Sequence, residues 1–435
     1  MLQEATFEQV FGFVYTISNL CALVLILSFG TFVPVFARRF DLRAAIVVPN
    51  AVTAAIFLLA ALLVFAKDMD GALLYTITLF SVFCCGIFAA CLQSGIIGFS
   101  SRLPAKYVQA VISGQAISGA AVALVSLILL STAPCDAGEP TLEEIQPQSF
   151  AYFFSSTLIV CMTLVAFYWL VQHSPVVLAS VRGESRELLR VPVIISASAS
   201  SNGVDDGNDG GGGGSSSVRH GTAVGKQMVL VKKMWRHCLG VCLTFLVTLS
   251  LFPGLTVKIA ASHNLYDKTC QGIFSFGVWT SFLFFVFNVG DTLGRQLTLL
   301  KHIVRPERAW WLALGRLLFI PLMLGCNLRR GDLTYNEAAV MSNATRNGTA
   351  PTTGEVSDDG ELAVSNLGFF SDDFWPVLFV GTMAMSNGYC ASMEMMNGPK
   401  LFSSQEDQSF AGTVMSLFMT LGLFLGSLAS FAVAA

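Results

Sequence analysis

Charged residues are scarce in this chain of 435 residues. Asp, Glu, Lys and Arg together make up 12% of it, which is about half the share found in a soluble domain. Hydrophobic residues make up 54%, and the mean hydropathy is +0.66. A chain this apolar needs lipid around much of its surface, which excludes an ordinary soluble protein. The net charge of -3 also argues against a nucleic-acid-binding protein, because such a protein needs a basic face.

Motifs for enzymatic or ATP-driven chemistry are missing as well. The sequence contains neither a GxxxxGK phosphate-binding loop followed by Ser or Thr nor an HExxH zinc motif. No CxxC pair of the zinc type is present, and no filter motif typical of a channel is visible. The five histidines are predicted to lie at helix ends or in loops: His173, His220, His237, His263 and His302. We therefore predict no enzymatic activity, no metal and no cofactor.

Long apolar runs dominate what is present. A membrane-spanning helix needs roughly 20 mostly apolar residues, and the chain contains ten such runs. They lie at 10–36, 44–66, 72–97, 107–131, 150–171, 237–259, 272–297, 309–326, 374–396 and 408–433. The sequence thus predicts an all-α, polytopic membrane protein with ten transmembrane helices.

Basic residues predict the orientation of these helices. The segments after the first, third, fifth, seventh and ninth runs hold seventeen Lys and Arg, whereas the opposite set holds six. Because basic residues collect on the cytoplasmic side, the first set is predicted to be cytoplasmic and both termini extracellular. The only two N-glycosylation sequons, at Asn343 and Asn347, lie in the predicted extracellular loop 327–373. A glycoprotein of the plasma membrane is expected. Cys135 and Cys270 also lie outside, where a disulfide between them could persist, although their pairing stays open.

A low-complexity segment divides the runs into two sets of five. Residues 183–235 include an Asp-rich stretch, five consecutive glycines and three serines, which is typical of a flexible linker. We predict an N-terminal helical bundle at 1–171, a cytoplasmic linker at 172–236 and a C-terminal helical bundle at 237–435.

Four charged residues within apolar runs are candidates for function, because a charge at the bilayer centre costs about 2.5–3.5 kcal/mol on insertion scales. They are Asp291, Arg295, Arg316 and Glu394. Asp291 and Arg295 are spaced i, i+4 and can pair on one helix face. With Phe284 and Asn288 they form a stripe suited to a polar heterocycle, or else a buried ion pair that only braces helices.

Glu394 has two possible interpretations. Its surroundings in sequence are apolar, which disfavours the charged carboxylate and is typical of proton relays in transporters. It could therefore couple transport to protons. It also lies close to the cytoplasmic end of its run, where an interfacial carboxylate with no special role is expected.

Several motifs in order along the chain resemble the equilibrative nucleoside transporter family. The segment Phe287-Asn288-Val289-Gly290-Asp291-Thr292-Leu293-Gly294-Arg295 is similar to the family's FN-x-x-D-x-LGR signature. Further matches are Leu92-Gln93, Leu103 to Tyr107, Ser113-Gly114-Gln115, Leu251-Phe252-Pro253, Arg316-Leu317 with Pro321, Ser386 to Tyr389 and Gly398-Pro399-Lys400. The resemblance covers almost the whole chain except the linker and the external loop. The chain starts at what resembles the family's second helix.

The resemblance implies a fold and a set of site residues. The family's eleven-helix fold resembles the major-facilitator fold with one helix fewer, and its two halves rock around a central site. By motif, Gln93 is expected to contact the base and Asn288 to line the cavity. Asp291 and Arg295 are expected to contact the ribose or an equivalent polar edge, and the aromatic walls are expected from Phe252 and Phe284.

The expected function is transport of nucleosides or nucleobases across the lipid bilayer by alternating access, either facilitative or coupled to protons. The absence of the family's first helix leaves an alternative, a truncated and transport-inactive membrane protein with a binding or regulatory role. Measured uptake of solute would separate the two. The preference for purines or pyrimidines stays open.

Overall fold

The computed structural model describes residues 7–32, 42–66, 69–131, 142–174, 223–261, 276–300, 304–328 and 369–434. These ranges are almost entirely helical, and their only β-type pairing consists of two isolated bridges. The longer helices are α1 Phe7–Phe32, α2 Leu42–Leu63, α3 Gly71–Ser100, α4 Ala105–Ser131, α5 Leu142–His173, α6 Ala223–Leu251, α7 Phe276–Leu300, α10 Phe374–Lys400 and α11 Gln405–Ala434, and the short ones between them are α8 Ala309–Gly315 and α9 Phe319–Leu324.

The predicted all-α, polytopic membrane protein is confirmed. Seven of the described helices are long and apolar enough to cross a membrane, and many large apolar side chains on them are exposed, as lipid contact requires. Helices α7 and α10 are also long enough to cross a membrane, but they are less apolar because they carry the buried charged residues Asp291, Arg295 and Glu394. The total of ten spans stays a prediction.

The predicted span 309–326 is not one continuous α-helix. It consists of α8, a 3-10 turn at Arg316–Leu318, and α9. Pro321 has no backbone N–H to donate back along the helix, so the regular α-helical ladder is interrupted there. The tightened turn lies next to this interruption.

Helix α6 starts well before the predicted boundary at 237. It begins at Ala223, because the helix also includes the basic residues that precede the apolar run. One of them, Lys226, forms an ion pair of 3.0 Å with Asp407 of α11. The placement of all five histidines at helix ends or in loops was therefore wrong for His237, which lies in the middle of α6 and is 9% exposed.

The helices pack on one another both within and between the N-terminal and C-terminal parts of the chain. In the C-terminal part, α6 packs along α11 and α7 along α10; in the N-terminal part, α1 packs on α3 and α2 on α5. Contacts of α4 with α7 and of α1 with α11 connect the two parts. Of the two large apolar clusters, the one rich in aromatic residues lies within the C-terminal part. The one rich in methionine also includes residues of α3 and α4.

Several predicted features lie outside the described residues. These are the sequons at Asn343 and Asn347, the pair Cys135 and Cys270, and most of the 172–236 linker. The division of the chain at this linker stays a prediction too.

Candidate functional site

A cavity of about 450 Å³ lies between helices from both parts of the chain. Helices α2, α4 and α5 form one side, and α7 with the residue following α6 forms the other. The lining is aromatic and aliphatic with several hydroxyls and one amide. It consists of Phe57, Ser118, Gly119, Val122, Ala123, Ser126, Tyr152, Ser156, Ile159, Val160, Phe252, Ser281, Phe284 and Asn288.

The aromatic wall of this cavity is held in place by ring contacts. The ring centroids of Phe252 and Phe284 are 4.8 Å apart. Behind them, Phe252 stacks on Phe287 at 3.9 Å with nearly parallel planes. Phe284 and Phe287 follow each other within one turn of α7, so both can meet Phe252 at the end of α6. A rigid pair of rings at a cavity wall is suited to stacking a planar ligand.

Asn288 lies one helical turn after Phe284, and its amide reaches the same cavity. Its Nδ2 donates to the backbone oxygen of Phe284 at 2.8 Å, which fixes the orientation of the amide. The side-chain oxygen approaches α4 at Gly119, where an added Cβ would come within 2.5 Å of it. The absence of a side chain at Gly119 therefore leaves the space that the amide occupies.

Asp291 and Arg295 are not part of the cavity lining. They are 6% and 7% exposed, and Asp291 Oδ2 accepts hydrogen bonds from Arg295 Nε at 2.9 Å and Nη2 at 2.8 Å. Arg295 Nη1 donates to the backbone oxygen of Ile112 at 3.0 Å, and Gln109 donates to the backbone oxygen of Arg295 at 3.1 Å. The pair thus connects α7 to α4, and its contact with a ribose stays a prediction.

Hydrogen bonds connect the same ion pair to residues of α10 and α6. Asn387 donates to Asp291 Oδ1 at 2.7 Å, and its own side-chain oxygen accepts from Thr248 at 2.7 Å. Arg316 donates to the Thr248 hydroxyl at 2.6 Å and to the Met383 backbone oxygen at 2.8 Å. Sequence reasoning missed the roles of Asn387 and Thr248. The only signal for Asn387 was its place in the motif Ser386 to Tyr389.

Gln93 lies apart from the cavity. It is half-buried on α3, and its Nε2 is buried without a hydrogen-bond partner among the described residues. The structure therefore brings together Phe252, Phe284 and Asn288 at the cavity, pairs Asp291 with Arg295 beside it, and places Gln93 at neither. The expected contact of Gln93 with a base stays a prediction.

Comparison with known proteins identifies the family. A sequence model described as "Nucleoside transporter" matches residues 79–343 and 363–435. This chain belongs to the nucleoside transporter family. The resemblance in the sequence motifs is thereby confirmed.

Similar proteins come from animals and plants. Human equilibrative nucleoside transporter 1 is 25% identical over 428 residues, covering 95% of this chain and 81% of that protein. Mouse equilibrative nucleoside transporter 2 is 26% identical, covering 88% and 79%, and an Arabidopsis thaliana equilibrative nucleotide transporter 1 is 23% identical, covering 97% and 76%. The crystal structure of a variant of the E. coli fucose:proton symporter FucP matches with a TM-score of 0.36 and 13% identity over 98% of this chain and 96% of that one.

Glu394 of this nucleoside transporter is not at a water-exposed edge. Its side chain is fully buried on α10, and Oε2 pairs with Nδ1 of His237 on α6. The interpretation of Glu394 as an interfacial carboxylate was therefore wrong, because the packing of α6 and α11 covers a position that is close to the helix end. The sequence could not show this pairing, since the two residues are 157 positions apart.

Proposed function

We propose that this chain carries nucleosides across a bilayer by alternating access, with the substrate bound in the cavity at Phe252, Phe284 and Asn288. The observation that supports this most directly is a cavity of about 450 Å³ between helices of both parts of a nucleoside transporter. This volume lies within the range of about 300–1,000 Å³ that small-molecule sites occupy.

The chemistry of the lining fits a nucleoside. The rings of Phe252 and Phe284 offer a surface on which a flat base can stack. The Asn288 amide and the hydroxyls of Ser118, Ser156 and Ser281 add hydrogen-bonding groups that suit a base edge or a ribose. A free nucleobase would use the aromatic wall but fewer of the hydroxyls, so we expect nucleosides to be preferred.

The origin of the lining residues supports a rocking mechanism. One side of the cavity comes from residues 57–160 and the other from residues 252–288. If residues 1–171 and 237–435 move as two bundles, the site lies where they separate, as in transporters built from repeated halves. No ATP site is expected, so movement should follow solute or ion gradients.

We expect Phe252→Ala to raise the nucleoside concentration needed for half-maximal transport by roughly tenfold, because loss of a stacked ring removes about 1.4 kcal/mol. The measurement is counterflow of labelled adenosine and uridine in proteoliposomes, with unlabelled bases as competitors. Phe80→Ala is the matched control, since Phe80 is 66% exposed on α3 away from the cavity. Equal effects of the two substitutions would argue against the cavity. Binding without counterflow would favour the transport-inactive alternative.

We also propose a topology with the 172–236 segment in the cytoplasm and both termini outside, in the plasma membrane. The unequal distribution of basic residues supports it. In glycosylating cells, Asn343 and Asn347 should carry glycans, and the double substitution to Gln should remove a glycosidase-sensitive mass shift. An epitope inserted near 210 should be reached by antibody only after permeabilisation. Labelling of intact cells would reverse the proposed orientation.

A further inference from the structure

A buried Glu–His pair lies within the C-terminal part, away from the nucleoside cavity. Glu394 is 0% exposed and His237 is 9% exposed, and each is the other's partner through Oε2 and Nδ1. The second carboxylate oxygen, Oε1, has no hydrogen-bond partner among the described residues. It lies against Gly240, where a Cβ would overlap it. The structure thus keeps space for a carboxyl group in an otherwise apolar contact.

Methionines surround the pair. The apolar cluster that encloses it includes Met234 and Cys238 of α6, Met393 and Met395 of α10, and Met415 of α11. An isolated ionised carboxylate in such surroundings is costly because it loses its hydration. With one proton on the pair, the net charge is zero whether the proton is on the imidazole or on the carboxyl. The sealed arrangement therefore favours the pair with a proton bound.

Other titratable and charged groups lie on the same helices, and several of them are bonded to partners other than Glu394. Those on the elements packed against α10 are Lys226, Lys232, Lys233, Arg236, Cys238 and Cys242 of α6, Asp291 and Arg295 of α7, Glu307 and Arg308 before α8, Arg316 after it, Tyr389, Cys390 and Lys400 of α10, Glu406 and Asp407 of α11, and Lys106 and Tyr107 of α4. Asp291 is bonded to Arg295, Lys226 to Asp407, and Arg316 to Thr248. Among the described residues, only His237 is bonded to Glu394.

The pair is close to one end of the helices and far from the cavity. Lys233 precedes His237 by one turn and donates to the Leu401 backbone oxygen at 3.0 Å, beyond the end of α10. Phe252 follows His237 by fifteen positions, which corresponds to roughly 22 Å along a helix. A proton on the pair can thus influence the nucleoside site only through movement of α6 and α10.

The cover over the pair includes residues from both parts of the chain. Ile97 of α3 and Val108 and Ile112 of α4 belong to the same apolar cluster as Met393 and Met396 of α10. If the two bundles separate at this end, the cover opens and water reaches the pair. Hydration lowers the free-energy cost of the negatively charged, deprotonated pair, so the proton can leave at this end.

We propose that Glu394 and His237 form a proton-binding site, and that one proton bound there is transported with each nucleoside. This inference rests on the proposed nucleoside transport and adds its driving force. In this cycle the pair exchanges its proton with water at its own end of the helices when the bundles separate there. It is neutral while they are closed over it. It exchanges with the opposite side through the passage between the bundles when they separate at the cavity end. No bond other than those to the proton is made or broken.

The decisive measurement is accumulation of labelled uridine and adenosine in proteoliposomes with the membrane potential clamped and an imposed pH gradient. For one proton per nucleoside, a gradient of one pH unit should give up to about tenfold accumulation, since about 1.4 kcal/mol corresponds to a factor of ten. Glu394→Gln should reduce the ratio to one while counterflow persists. Glu406→Gln, at an exposed position of α11, should accumulate like the wild type.

Two results would overturn the proton site: a wild-type ratio of one with normal counterflow, or full accumulation by Glu394→Gln. The first leaves the proposed nucleoside transport intact. A wild type without counterflow contradicts the transport function instead, and a second readout then decides on the proton site. Infrared difference spectra between acidic and alkaline buffer should show a carboxyl or imidazole protonation band that both Glu394→Gln and His237→Gln remove or shift. A spectrum unchanged in both variants would exclude proton exchange at this pair.

Discussion

Asp291→Ala should destabilise the protein by about 3–5 kcal/mol, the usual cost of removing one partner from a buried ion pair. Arg295 would stay buried at 7% exposure with two of its hydrogen bonds lost. Asn387 would lose its acceptor at the same time. Besides its own pair, the carboxylate accepts a hydrogen bond from α10, so the loss should not be confined to α7.

The effect should also reach the contact between α7 and α4. Arg295 holds α4 through the backbone oxygen of Ile112, and Gln109 of α4 returns a bond to the Arg295 backbone. Without the Asp291 carboxylate, the Arg295 guanidinium is no longer held in this orientation. The hydrogen bonds between Arg295 and α4 would therefore weaken. Transport should therefore fall even in protein that remains folded.

Thermal unfolding in detergent, followed by size-exclusion chromatography, measures the loss. Asp70→Ala is the control, because Asp70 is exposed before α3 and its side chain makes no capping bond; its effect should stay within about 0.5 kcal/mol. Asp291→Asn should lie between the two. If Asp291→Ala melted like the Asp70 variant, the network would not stabilise the fold.

Local spacing explains which parts of this network the sequence could reveal. The separation i, i+4 placed Asp291 beside Arg295, and the same spacing aligned Phe284 with Asn288. Both alignments appear on α7. Asn387 is 96 positions from Asp291, and no periodicity within one helix relates them. Such partners depend on how helices pack, which a hydropathy pattern does not contain.

The same limit applies to the Glu394 site. Hydropathy placed Glu394 near the end of a span, which is correct along the helix, yet exposure depends on neighbouring helices. The basic residues before His237 indicate a loop in the sequence, whereas α6 continues back to Ala223, so the burial of His237 is not predicted. The family motifs predicted Phe252, Phe284 and Asn288 together, and these residues do line one cavity. The position of Gln93 away from that cavity depends on the arrangement of α3, which no local motif specifies.

Gly388→Ala should be as damaging as the loss of Asp291, although it adds only one methyl group. Helices α7 and α10 lie so close at this point that a Cβ on Gly388 would overlap the backbone oxygen of Asp291. Small residues allow this kind of approach between membrane helices. A flexible side chain could move away, but a backbone oxygen can move only with its helix. The two helices must therefore separate.

Their separation removes bonds that depend on the close contact. The Asn387–Asp291 hydrogen bond of 2.7 Å spans this helix pair, one residue from Gly388. Overpacking of a core by a methylene group costs typically about 1–3 kcal/mol, and the strained hydrogen bonds add to it. Because Asn288 of the cavity lies on the displaced α7, nucleoside counterflow should fall together with stability.

Gly114→Ala is the matched control for Gly388→Ala. Gly114 also lies inside a long helix, but nothing lies within 4 Å of the position of its Cβ. Alanine there should be neutral or stabilising by roughly 0.5–1 kcal/mol, because glycine is the poorer helix former. Melting temperature and counterflow of both variants are compared with the wild type. The prediction requires a loss of stability and counterflow at Gly388 and no such loss at Gly114. Equal tolerance of alanine would mean that α7 and α10 are not in backbone contact in the membrane. It would then also contradict the hydrogen bond between Asn387 and Asp291 that depends on this contact.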